Sequence, residues 1–275
     1  MNFKALVAAG ALLATQSFAI IGIGGHYAPG FGTKMTGMKE PAPVLKDELG
    51  KDDESVKLQH GGFDGTMQGF GFKLWIDILP IFDIEATYNI QFGSYDAALF
   101  VDGVGDPIPI EIELAGTPFG KANPKFVASN LDISLTYPIT FIPIIRPYIG
   151  GGFTYYLNTF VLNKNFVQGI IDDPAISDMI KSAANKEGLD PEALQQKAQE
   201  LETLGQNLKQ RVQDKAADEG LNTSIGGHVL IGIRGKLPVI PIATYCNFKY
   251  YFGGDYPKEI DAGHMTLEVG GGFAI

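Results

Sequence analysis

The segment FDIEATYNIQFG, residues 82–93, decides the fold, because its apolar and polar side chains alternate without interruption. The even positions are Phe82, Ile84, Ala86, Tyr88, Ile90 and Phe92, and the odd positions are Asp83, Glu85, Thr87, Asn89, Gln91 and Gly93. Successive side chains of a β-strand point to opposite faces of the sheet. The segment therefore predicts a strand with one apolar and one polar face.

Seven further segments show the same alternation, which makes eight predicted strands. Each has roughly the ~9–11 residues that a tilted strand needs to cross a bilayer. The seven are residues 21–28, 68–78, 127–137, 146–158, 225–237, 242–252 and 265–275.

Short and long connections alternate strictly along the chain. The short ones are residues 79–82, 141–145 and 238–241, and the long ones are 29–66, 94–125, 160–223 and 253–263. In an up-and-down meander this order places every short turn at one end and every long loop at the other. That asymmetry is typical of transmembrane β-barrels of outer membranes. A soluble barrel with apolar side chains inside is the alternative that the alternation leaves open.

The polar face favours the membrane barrel, because its charges balance in sign. A narrow interior needs such balance, since an unpaired charge in a medium of low dielectric is costly. We expect the ion pair Lys249–Glu268 and a lower cluster of Glu85, Arg146 and Arg234 to cross-link the lumen. The predicted luminal charges are Lys73, Asp77, Asp83, Glu85, Asp132, Arg146, Arg234, Lys236, Lys249 and Glu268.

The apolar face ends in aromatic residues, which sit at the headgroup level in membrane barrels. At the long-loop end the predicted girdle comprises Tyr27, Phe70, Phe92, Tyr155 and Tyr250, and at the short-turn end Phe82, Tyr137 and Phe273.

On these features the chain resembles the small eight-stranded outer-membrane barrels of Gram-negative bacteria, of the OmpA, OmpX and OmpW type. The resemblance implies an all-β antiparallel barrel and a partner in the barrel assembly machinery. Members usually end in an aromatic residue, whereas this chain ends in Ile275.

The first nineteen residues predict a signal peptide. Lys4 precedes an apolar run that ends in Ser17-Phe18-Ala19, with small residues at the two positions that signal peptidase inspects. An uncleaved membrane anchor is the alternative, because residues 5–25 carry no charge. Cleavage leaves residues 20–275 as one barrel domain in the outer membrane.

The third long loop predicts a helical hairpin at about residues 173–219. Asp173-Pro174 and Asp190-Pro191 each place an N-cap acceptor before the residue that suits the first helical position. The second helix carries one apolar stripe, which favours helix-on-helix packing over a groove for an extracellular ligand. Residues 99–101 and 108–114 are predicted to lengthen two barrel strands, and a ten-stranded barrel is the less favoured alternative.

Composition and motifs restrict the function. The net charge of −10 argues against nucleic acid as a partner, and a single cysteine excludes a disulfide framework. The acidic residues 46–54 lack EF-hand spacing, so a solvated loop is favoured over a Ca²⁺ or Mg²⁺ site. Of His26, His60, His228 and His264, three are predicted in the lumen and one in a loop, without a G-x-S-x-G motif. We expect no catalytic residue, cofactor or metal.

Two functions remain open at this point. The favoured one is a structural or surface-binding protein whose long loops and helical insert contact partners or lipopolysaccharide. The alternative is a narrow pore for ions or small solutes. An eight-stranded barrel is only wide enough for its own side chains, which favours the first.

Overall fold

A computed structural model describes residues 21–46, 52–77, 81–102, 106–110, 112–113, 121–139, 145–159, 161, 222–236 and 241–274. Eight long strands form the main sheet: β1 (Ile21–Tyr27), β2 (Gln68–Ile76), β3 (Asp83–Ser94), β4 (Lys125–Pro138), β5 (Ile145–Asn158), β6 (Asn222–Lys236), β7 (Ile242–Gly253) and β8 (Met265–Ala274). The eight predicted strands are confirmed, with end positions that differ by a few residues.

The sheet closes on itself as an antiparallel barrel. Each strand pairs with its neighbours in sequence, and β1 pairs with both β2 and β8. The closing seam runs from Gly22 opposite Ala274 to Tyr27 opposite Val269. Closure removes the free edges on which strands of different molecules would pair.

Burial follows the alternation, with the polar side chains inside. On β3 the side chains of Glu85, Thr87 and Asn89 are buried, whereas Tyr88 between them is exposed. On β4 the pattern repeats, with Asp132 fully buried and Ile133 exposed. The soluble-barrel alternative requires the opposite arrangement and is therefore wrong.

Within the described residues, three smaller sheets lie in the long loops. A three-stranded sheet joins Lys34–Met35 with Phe63–Asp64 and Ile260–Asp261, so the first and last long loops meet. A two-stranded sheet pairs Ile112–Glu113 with Lys121–Ala122. A four-stranded sheet has the order Ile108–Pro109, Ala97–Val101, Asp52–His60 and Ala42–Lys46.

The four-stranded sheet corrects one prediction. Residues 99–101 and 108–109 do not lengthen barrel strands, because Ala97–Val101 pairs with Asp52–His60 of the first long loop. The polar break at Tyr95-Asp96 separates this strand from β3. The closed barrel has eight strands, and the ten-stranded alternative is wrong.

The predicted signal peptide and the helical hairpin at 173–219 lie outside the described residues. None of the described residues forms a helix. Accordingly, the described part of the chain contains no helix that is long and apolar enough to cross a membrane.

Candidate functional site

A ladder of alternating charges runs through the lumen. It begins with Glu85 and continues through Lys73, Glu268 and Lys249 to Asp132, and none of these five side chains is exposed. Lys73 Nζ lies 3.0 Å from a carboxylate oxygen of Glu85 and 3.0 Å from one of Glu268. Lys249 Nζ lies 2.7 Å from Glu268 and 2.7 Å from Asp132.

Two ion pairs, one of the ladder and one beside it, act as struts across the barrel. Lys249 on β7 reaches Asp132 on β4, and Arg234 on β6 reaches Glu85 on β3. Each of these pairs joins strands that are three positions apart in the barrel. The struts therefore tie opposite walls together and occupy the space that a water channel would need.

The carboxylates of the ladder are saturated with hydrogen-bond donors. Glu268 Oε1 accepts from Asn89 and Lys249, while Glu268 Oε2 accepts from Asn247 and lies 3.0 Å from Lys73. Saturation matters because a buried ion pair offsets its desolvation only when its remaining lone pairs and protons are also satisfied.

A second cluster lies at the short-turn end of the lumen. Arg234 contacts Glu85 and lies 2.9 Å from Asp77. Arg146 lies 3.3 Å from Asp77 and 3.6 Å from Asp83. Arg146 thus lies beside these two aspartates, whereas the sequence predicts it in a cluster with Glu85 and Arg234.

Nine of the ten predicted luminal charges lie in the lumen, and the side chain of the tenth is not described. Lys73, Asp77, Asp83, Glu85, Asp132, Arg146, Arg234, Lys249 and Glu268 all point into the lumen. Lys249 and Glu268 are in contact although their backbones are not opposite, since Lys249 pairs with Thr266 and Glu268 with Asn247. The side chain of Lys236 lies outside the described part.

A directed chain of hydrogen bonds reaches Asp132 from the wall. Thr154 Oγ1 donates to Asp132 Oδ1 at 2.9 Å and must therefore accept from His228 Nδ1, also at 2.9 Å. The order of these bonds thus places a proton on Nδ1 of His228. In the neutral ring, Nε2 carries the lone pair and accepts from the Ser134 hydroxyl at 2.7 Å.

The Ser134–His228 contact has the donor order of an activated nucleophile. Ser134 is nevertheless fully buried, and Asp132 also accepts from Lys249 and Tyr251. The chain adds Thr154 to the donors that surround Asp132. The alternation does not predict this chain, because hydroxyls are ordinary on strands and only the register of β4, β5 and β6 brings these three residues together.

The other histidines occupy three different settings. His26 is luminal and donates from Nε2 to Asn89 Oδ1 at 2.6 Å, which leaves Nδ1 to accept from Tyr245. His60 is buried beside Tyr95 in the long loops. His264 is exposed and stacks on Tyr250, so two histidines, not three, are luminal.

The eight predicted girdle residues all lie on the outward face. Six of them expose about half of their side-chain area or somewhat less. Phe92 is half-buried against Phe70. The most exposed of the eight is Phe273, at 63%. Phe82 packs edge-on against Tyr137 at the short-turn end. Between the two girdles the wall is apolar, with Phe72, Ile133 and Ile231 exposed. This is the surface that a bilayer requires.

At the long-loop end the lumen closes in aromatic rings. Tyr156 contacts Tyr251 at 6.3 Å and Tyr256 at 5.9 Å between ring centroids. Burial and the nearby Asp132 carboxylate raise the pKa of Tyr256, in the last long loop, to about 12. The three rings, which we call the tyrosine cap, lie over Asp132, because Tyr251 donates to it.

The described residues hold no group of three or more His, Cys, Asp or Glu side chains arranged to bind a metal ion. Much of the acidic segment 46–54 lies outside the described part, so the prediction about that loop stays a prediction.

Comparisons with known proteins yield structural likeness alone. No protein family model matches the chain, and no curated protein sequence matches it. The barrel is similar to the outer membrane protein OprG of Pseudomonas aeruginosa (11% identity, 93% of this chain and 95% of that one, TM-score 0.42).

A second similar structure is Neisserial surface protein A, with 11% identity, coverage of 92% of this chain and 94% of that one, and a TM-score of 0.39. A third is Ail of Yersinia pestis in complex with a heparin analogue, with 7% identity, coverage of 93% and 97%, and a TM-score of 0.38. The closed barrel of this chain rests on its own strand pairings.

Proposed function

We propose that this protein is an integral outer-membrane barrel that serves as a rigid, closed scaffold and presents its long loops for structural or surface-binding contacts. The observation that carries the proposal is the fully buried ladder from Glu85 to Asp132. Its Lys249–Asp132 pair and the neighbouring Arg234–Glu85 pair join opposite walls, and a barrel braced in this way supports contacts at its rim rather than flow through its centre.

The proposal includes the surroundings of the barrel. The girdles and the apolar wall between them match an outer-membrane bilayer, and the lipid partner at the long-loop end is lipopolysaccharide. Export by a cleaved signal peptide at residues 1–19 and insertion by the barrel assembly machinery are part of the same proposal. The helical insert at about 173–219 is the candidate contact for an extracellular ligand. We propose no catalytic role.

Single-channel recording in planar bilayers tests the closed scaffold. The mature wild-type barrel is expected to give no steady openings. A triple variant, Lys73→Ser, Lys249→Ser and Glu268→Ser, removes the middle of the ladder and is expected to conduct. Steady wild-type openings would replace the scaffold with a narrow pore for ions or small solutes.

A matched triple variant controls for damage to the barrel. Ser substitutions at Ile23, Leu135 and Val229 remove the same number of side chains from the outward wall and leave the ladder intact. This variant is expected to stay as silent as the wild type once it has been shown to fold.

A further inference from the structure

The last long loop turns inward over the lumen through two glycines. Gly253 and Gly254 have φ angles of +74° and +91°, a region that side chains with a Cβ rarely adopt. The turn places Tyr256 against the ring of Tyr156. Consecutive glycines at the start of a covering segment are suited to act as a hinge.

The turn is held down through the backbone of Asp255. Its N–H donates to Ser224 Oγ at 2.7 Å, and its carbonyl accepts from Asn158 Nδ2 at 3.3 Å and from Asn222 Nδ2 at 3.4 Å. Two of these three bonds are long, and of the four residues on this latch Asp255 and Asn222 are exposed. Long, solvent-exposed hydrogen bonds of this kind are among those that open most readily in a folded protein.

The closed turn leaves a polar atom without a partner. Asn158 is fully buried, and its Oδ1 accepts no hydrogen bond, although its Nδ2 bonds Asp255. Burying an acceptor unpaired costs about 1–3 kcal/mol. Lifting the turn removes this cost, because Oδ1 then meets a donor from outside.

We propose that Tyr256 is a lid over a saccharide-binding subsite at the outer mouth, formed by the Tyr156 and Tyr251 rings and the Asn158 amide. The ligand replaces Tyr256 on the ring of Tyr156 and donates a hydroxyl to Asn158 Oδ1. The inference rests on the proposed function, because it requires the long-loop end to face the cell exterior.

The chemistry of the subsite selects a neutral, polyhydroxylated ring. Tyrosine rings offer flat apolar faces, and the amide offers an acceptor and, once the latch opens, two donors. Asp132 beneath the rings is already occupied by Lys249, Thr154 and Tyr251, so it attracts no further cation. A quaternary ammonium ion brings no donor and leaves Oδ1 unpaired.

Saturation-transfer NMR on the full mature barrel tests the lid. The protein is held in a detergent without a sugar headgroup, and the probes are methyl β-galactoside, methyl α-mannoside and N-acetylglucosamine, with choline for comparison. We expect at least one sugar to bind more tightly than choline. Tyr256→Ala is expected to tighten the apparent Kd for it at least about fivefold, because no side chain then competes for the ring of Tyr156 and the closed state is less populated.

Two substitutions at one position separate the latch from the subsite. Asn158→Asp and Asn158→Leu both lose the Nδ2 bond to Asp255, but only Asp keeps an acceptor. Asn158→Asp is expected to bind the sugar at least as well as wild type, and Asn158→Leu about tenfold more weakly, the equivalent of one hydrogen bond. Asn222→Ala, which weakens the latch alone, is expected to tighten binding.

Three results would overturn the lid and its ligand: no sugar binding by wild type and Tyr256→Ala, tighter binding of choline, or weaker binding after Tyr256→Ala. Folding of each variant is checked by the shift in gel mobility on heating. Sugar binding and conductance are measured independently. A barrel that conducts but binds sugar contradicts the closed scaffold alone, and a silent barrel that binds no sugar contradicts the lid alone.

Discussion

The lumen and the outer wall are built from alternate residues of the same eight strands, yet they depend on opposite rules. In the lumen each charge has named partners, and Lys73, Lys249 and Glu268 are fully buried. On the wall no single partner matters, and Phe72, Ile133 and Phe153 are exposed to the bilayer. The lumen is therefore sensitive to losing a charge, and the wall is sensitive to gaining one.

The largest expected effect is the loss of a luminal cation. Lys73→Met leaves Glu85 and Glu268 each with one cation fewer, and breaking a buried network in this way costs about 3–5 kcal/mol. Urea unfolding in phospholipid vesicles measures it, with fluorescence of Trp75, the one tryptophan of the chain, as the reporter.

Charge neutrality supplies the control for that variant. Adding Glu268→Gln to Lys73→Met removes the excess negative charge and is expected to bring the stability closer to wild type. A loss below about 1 kcal/mol in the single variant would mean that water screens the pairs, as at a protein surface. The distinction between lumen and wall would then fail.

The next effect is a charge placed on the wall. Ile133→Arg puts a guanidinium between the girdles, where such a residue costs about 2–4 kcal/mol. Val127→Arg lies on the same strand, beside Phe92 of the long-loop girdle, and is expected to cost about 0–1 kcal/mol. Equal losses in the same unfolding assay would show that the wall does not face lipid.

The faces of the strands could be predicted from sequence, whereas the partners inside the lumen could not. Period two assigns Lys249 and Glu268 to the polar face, but their contact depends on a stagger of two residues between β7 and β8. Arg146 reaches Asp77 and Asp83 from a strand that is two positions away from β3, a contact that the alternation along one strand does not contain. The Ser134–His228–Thr154 chain requires three strands in register, which alternation does not encode.

A smaller effect distinguishes the two sides of β1. Gly22 faces the lumen under the Trp75 indole, which packs with Ala243, Tyr245 and Ala274. A Cβ at this position overlaps the indole ring, so Gly22→Ala is expected to cost about 1–3 kcal/mol. Gly25 faces outward, where the nearest atom to a Cβ is 3.9 Å away, and Gly25→Ala is expected to be neutral or stabilising. A Gly25→Ala loss as large as that of Gly22→Ala would contradict the assigned faces.

The smallest effect compares two luminal threonines that differ in their hydrogen bonds. Thr154 bridges His228 and Asp132, whereas Thr87 Oγ1 is buried without a partner. Thr154→Val is expected to cost only about 1 kcal/mol, because Asp132 Oδ1 is already 3.8 Å from His228 Nδ1 and a small shift lets it accept that proton. Thr87→Val removes an unsatisfied hydroxyl and keeps the shape, so its free energy of unfolding is expected to equal or exceed that of wild type. If Thr87→Val is the more damaging of the two, a water or another group bonds Thr87, and the lumen is less dry than its ion pairs require.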